Sequence, residues 1–193
     1  MSLPGNLVPT ESPPAPGDLD ALFQDTWLCV LSVKNCHDIA VDEALYRRCA
    51  ALVKEAQEKI QGNTRADEII FAQCALLDEA VMNRPDTDVS AWHHNAPLQS
   101  RFFDRLDAGD IIPERIKALL REPAPSSLLA GFYLRILQLG FCGLYRQETD
   151  PQRLELIRKL ERLLPAASEQ SPATVIVVGA RSRLHQLYSP ALL

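Results

Sequence analysis

Glycine is scarce in this chain, 8 of 193 residues, and aromatic residues make up only 6%. Sandwiches and barrels need many short strands joined by turn glycines, so both are disfavoured. No run of about 18 apolar residues occurs, so no segment of the sequence can cross a bilayer as a helix. The longest purely aliphatic stretch is only Val175 to Val178. The amino end lacks a basic segment followed by an apolar one, so it does not read as a secretory signal. Cys29, Cys36, Cys49, Cys74 and Cys142 are odd in number and include no C-x-x-C pair. That spacing fits neither a disulfide framework nor a zinc site, and the five read as small buried hydrophobes in a reducing compartment. Excess positive charge is missing too: the formal net charge is -5, which argues against a nucleic-acid binder. The charge is uneven, however. Residues 1–110 carry 9 Lys and Arg against 18 Asp and Glu, and residues 111–193 carry 11 against 7. The basic end finishes with Arg181, Arg183 and His185.

What is present is apolar and periodic. Hydrophobic residues make up 47% of the chain, enough at this length for one sizeable core. Residues 1–17 hold five prolines and read as a disordered leader, and residues 166–193 read as a linker. Between them, residues 18–165 predict an all-α domain of about seven helices. The first starts at a cap on Asp18 or Asp20 and runs to Asn35, with Trp27, Val30 and Leu31 on its apolar stripe. The second begins near Val41 and ends before Gly62, a natural residue just past a helix end. The third runs from a capping box at Thr64-Arg65-Ala66-Asp67 to Asn83. Residues 86–95 read as a loop or short turn carrying Trp92, His93 and His94. A fourth helix runs from Pro97 to Gly109, and a short fifth ends at Pro123. A sixth is capped by Ser126 or Ser127, and Asp150-Pro151 opens a seventh whose stripe is Leu154, Ile157, Leu160 and Leu164.

The third helix is apolar nearly all round, which places it at the centre of a bundle. Asp78 and Glu79 interrupt that run, and burying carboxylates demands partners or a cleft. Adjacent helical residues diverge by about 100°, so the two cannot aim at one substrate, and no catalytic role is assigned. His93-His94 lacks metal-ligand spacing for the same reason, so no metal or cofactor is expected. The second irregular place is Leu139 to Arg146, where Gly140 and Gly143 imply either close backbone packing or a break that turns the chain. Tyr145 and Arg146 reach its rim on that reading, residue types that interfaces favour.

Three segments together resemble the DotU/IcmH/TssL family of type VI and type IVB secretion systems. They are Phe71-Ala72-Gln73-Cys74-Ala75-Leu76-Leu77-Asp78-Glu79-Ala80-Val81-Met82; Trp92 with Pro97-Leu98 and Phe102-Phe103-Asp104-Arg105-Leu106; and Leu137-Gln138-Leu139-Gly140-Phe141-Cys142-Gly143-Leu144-Tyr145-Arg146. The sequence departs from the family in placing Ala108-Gly109-Asp110 after the paired aromatics. The resemblance implies two small helical bundles in a hook-like arrangement with a cleft between them. Asp78 and Glu79 would lie at or behind that cleft, with Gly140, Phe141, Gly143 and Tyr145 shaping the opposite wall and Arg146 beside them. It further implies a non-enzymatic scaffold at the cytoplasmic side of the inner membrane, held there by a C-terminal helix absent from this sequence. Its partners would be a TssM/IcmF-type protein, the baseplate protein TssK with TssE as a further candidate, and other copies of itself. The alternatives are a type IVB DotU/IcmH stabiliser of an IcmF partner, and a small-molecule-binding helical domain.

Overall fold

The computed structural model describes residues 16–164 apart from 37 and 86. Most of the expected leader and the whole expected linker, with Arg181 and Arg183, lie outside the described residues. Within them the chain is all-helical: α1 (Pro16–Leu22), α2 (Gln24–Asn35), α3 (Glu43–Lys59), α4 (Ala66–Met82), α5 (Ser90–Asn95), α6 (Leu98–Phe103), α7 (Ala108–Leu119), α8 (Ser127–Gln138) and α9 (Pro151–Leu163). Each of the seven expected helices is present. The first is divided at Phe23, and α5 forms inside the segment expected as a loop.

Local chemistry accounts for many of the boundaries. Asp42 caps α3 by accepting from the Leu45 N–H at 2.9 Å. Ser126 caps α8, and the Asp150 carboxylate accepts from the Gln152 and Arg153 amides ahead of a proline at the first helical position. Three expectations need correction. Asp20 is not a cap, because α1 starts at Pro16 and the Asp20 side chain pairs instead with Arg135 of α8. The capping box at Thr64 does not form: Arg65 occupies the cap position without a side-chain capping bond, and Asn63 accepts the Arg65 amide at 2.8 Å. The fourth helix stops at Phe103, not Gly109, since Asp104 turns left-handed (φ 54°) and α7 begins at Ala108.

Helix α4 occupies the centre, as its all-round apolarity requires. Residues Ile69 to Asp78 are all buried, and α4 packs against α2, α3, α6, α7 and α8. One continuous core runs through the helices around it. Phe23, Trp27 and Phe132 form an aromatic cluster between α2 and α8, with ring centroids 4.8–5.5 Å apart. Of the cysteines, Cys29, Cys49 and Cys74 are buried as expected, but Cys36 is exposed in the α2–α3 connection and Cys142 is half-buried. The stripe of α9 is also rotated. Arg153, Leu156 and Leu160 are buried, while Leu154 is exposed.

The turn between α5 and α6 is strained. Ala96 has φ 62° and ψ 148°, a conformation suited to glycine, and its carbonyl is pinned by the Tyr46 hydroxyl at 2.9 Å. Replacing Ala96 by glycine relieves the strain at the expense of a more disordered unfolded chain. Ala96→Gly is expected to raise stability by about 1 kcal/mol in urea unfolding. A loss of stability would show that the turn is unstrained.

Candidate functional site

Asp78 and Glu79 sit side by side near the end of α4, and their side chains part in the two directions that helical geometry dictates. Asp78 is 2% exposed. One carboxylate oxygen accepts from the Trp92 indole N–H and the Leu98 amide, both at 2.8 Å, and the other accepts from the Gln99 amide at 2.9 Å. It therefore holds the amino end of α6 and ties α5 to α4. The chain of caps continues, because the Gln99 side-chain oxygen accepts from the Ala108 amide at the start of α7. Burial pushes the Asp78 pKa up against the opposing pull of its N–H donors.

Glu79 points the other way, to the segment between α8 and α9. Its two oxygens accept from the Cys142 amide at 2.6 Å and the Gly143 amide at 2.8 Å. Burial again raises its pKa, while those amides, Lys34 and Arg153 hold the shift back. The segment itself begins with a Schellman turn. Gly140, at φ 97°, donates to the Leu137 carbonyl, and Phe141 donates to that of Ile136. A side chain at position 140 would also collide with the Lys34 ammonium and the Glu148 carboxylate. Gly143 serves a different purpose. A Cβ there would lie 2.5 Å from the Gly109 carbonyl oxygen, so only glycine allows α7 to approach this closely. Both readings of the two glycines thus hold, one for each residue.

Three further groups complete the hold on this segment. Pro113 within α7 has no N–H to offer the Gly109 carbonyl, and the Leu144 amide takes that acceptor at 3.0 Å. Arg153, 3% exposed, donates to the carbonyls of Phe141, Glu148 and Leu137. Lys34 donates to the Leu139 carbonyl at 3.0 Å and to Glu148 at 2.8 Å, which holds the Glu148 carboxyl below its ordinary pKa. Across it, Arg84 donates to the carbonyls of Cys36 and Ile39, fixing the end of α4 to the α2–α3 connection.

Between these anchors lies a concavity of about 290 Å³. Its lining mixes Lys34, Glu79, Arg84, Arg146 and Glu148 with the apolar surfaces of Leu76, Ala80 and Leu139. Of the seven residues expected at a cleft, Glu79, Gly140 and Arg146 line it. Asp78, Phe141 and Tyr145 are buried, and they and Gly143 stand behind the walls. Lys34, Arg84, Glu148 and Arg153 were not anticipated. Arg153 could have been found as the backward continuation of the Leu156–Leu160 face, and Lys34 as a cation prolonging the Trp27–Val30 stripe.

A profile of the family described as Type VI secretion system protein DotU matches residues 18–190. The chain belongs to the DotU/TssL family. No curated protein sequence matches it. A crystal structure of the type VI protein SciP/TssL from enteroaggregative Escherichia coli 042 is similar at 36% identity, with a TM-score of 0.68. The similarity covers 86% of this chain and 99% of that one. The family is a structural component of the type VI secretion membrane complex, so the all-helical TssL-like reading of the sequence stands. Among the described residues no helix is long and apolar enough to cross a membrane, and none of their His, Cys, Asp and Glu side chains cluster as metal ligands.

The Asp78 network predicts a graded response in this family member. Asp78→Ala leaves the indole and two amide donors without an acceptor, so unfolding free energy is expected to fall by about 3 kcal/mol or more. Asp78→Asn retains the oxygen serving Trp92 and Leu98 and loses only the bond from Gln99, so it should fall roughly midway. Equal losses in chemical denaturation would contradict this division of labour.

Proposed function

We propose that this protein is a non-enzymatic scaffold of the type VI membrane complex. In that role it docks a TssM/IcmF-type partner and recruits TssK, with TssE as a further candidate, at the cytoplasmic face of the inner membrane. The observation that carries this reading is the concavity between the end of α4 and residues 139–148. Its walls are irregular backbone fastened by Glu79, Lys34 and Arg153, so little ordering remains to oppose association. Its rim joins cations to apolar surface, with Met82 exposed close by, the mixture typical of non-obligate interfaces. Its size suits one or two anchoring side chains of a partner. All four oxygens of Asp78 and Glu79 are engaged by N–H donors, which favours support over acid–base chemistry.

Arg146 supplies the cleanest test, because it is exposed on the rim and makes no ion pair with any described residue. Arg146→Glu should leave the melting temperature unchanged, since such surface substitutions stay within about 0.5 kcal/mol. In bacterial two-hybrid assays it should abolish pairing with at least one of the TssM-, TssK- and TssE-type partners. Undiminished pairing with all three would remove the concavity from the docking surface.

A further inference from the structure

Residues 139–148 have a second side. Tyr145 and Arg146 face away from each other, Arg146 to the concavity described above and Tyr145 to a groove between α7 and the first half of α9. That open groove has a volume of about 520 Å³ and is lined by Lys117 of α7, Arg121 in the turn that follows it, and Arg158 and Lys159 of α9. Glu155 is the one carboxylate in its lining, and it is already shared between Arg158 at 3.0 Å and Lys159 at 3.8 Å. Glu114, outside the lining, pairs with Lys117 at 2.8 Å. Arg121 is exposed in the turn after α7 and makes no ion pair with any described residue. The groove therefore carries a net positive charge, in a protein whose net charge is negative.

A second observation comes from its floor. Tyr145 is 3% exposed, and its buried hydroxyl has no acceptor for its proton among the described residues. Buried hydroxyls are nearly always satisfied, so this one marks a place where an acceptor belongs. Lys117 lines the same groove, where Glu114 chiefly, and Tyr145 in smaller part, keep its ammonium above its ordinary pKa. A carboxylate entering beside Lys117 would accept from the hydroxyl and from the ammonium together.

We propose that the α7–α9 groove is a docking site for an extended acidic segment of a partner protein, with one carboxylate seated on Tyr145 and Lys117 and another between Arg121 and Arg158. The lining runs along α9 from Pro151 to Lys159, about 12 Å of helix, which matches three or four residues of extended chain. Concavity favours a peptide over a bilayer, because a flat anionic surface cannot reach a hydroxyl at the bottom of a groove. This surface is distinct from the Arg146 concavity, so the two can succeed or fail separately.

The test uses the full 193-residue chain and a fluorescein-labelled peptide of alternating Glu and Ser, compared with its Gln-for-Glu twin by anisotropy. The acidic peptide should bind and the neutral twin should not. Arg121→Glu combined with Arg158→Glu should weaken binding at least about tenfold, whereas Arg146→Glu should leave it unchanged. Tyr145→Phe should weaken binding about fivefold while the melting temperature holds or rises, because it deletes an unsatisfied hydroxyl. A structural role for that hydroxyl would give the reverse pattern. No binding of the acidic peptide, binding indifferent to Tyr145→Phe, or binding only to phosphatidylserine vesicles would each overturn the proposal.

Discussion

Two adjacent carboxylates on the central helix fasten the parts of this protein that regular secondary structure cannot hold. Asp78 and Glu79 diverge because neighbours on a helix must, and each finds backbone N–H groups of a different distant segment. One fixes α5 and α6, and through Gln99 the start of α7. The other fixes the turn after α8. A carboxylate accepting from amides binds them more strongly than a neutral acceptor would, because the bonds are charge-assisted. Burial makes the arrangement demanding, for a carboxylate without its donors would be costly in the same place.

The segment from Leu139 to Glu148 shows how irregular backbone can be rigid. Its backbone is held by unlike partners: a carboxylate for two amides, a guanidinium for three carbonyls in and beside it, an ammonium for another, and a helix carbonyl left open by a proline. The charges around it, Lys34 and Arg153 with Glu79 and Glu148, balance in sign. Such a network raises the penalty for any alternative arrangement more than it raises overall stability. Rigidity of this kind is what the proposed docking role requires of a surface offered to partners.

Much of this was legible in the sequence, and the gaps have physical causes. The centrality of α4 followed from apolar residues on every side of it, and the tension at Asp78-Glu79 from charge within that run. The caps at Ser126 and Asp150 followed from residue type and position. What periodicity missed was set by distant contacts. No local rule says that Asp104 will turn left-handed and shorten α6, or that Trp92 will draw a short helix into a presumed loop by giving its N–H to Asp78. The rotation of α9 was hidden because Arg153 counts as polar in any pattern, although its planar group, satisfied by three carbonyls, buries like an apolar one. The two sides of the 139–148 segment were likewise invisible, since Tyr145 and Arg146 are neighbours in sequence and part ways only in space.

The central claim is that Asp78 and Glu79 act separately, each anchoring its own backbone segment. Amide hydrogen exchange resolved along the chain tests this most directly, in Asp78→Asn and Glu79→Gln variants. The account predicts faster exchange around residues 97–99 in the first and around residues 141–144 in the second, with little crossover. Identical exchange changes in both variants, or unchanged protection of these amides, would contradict it.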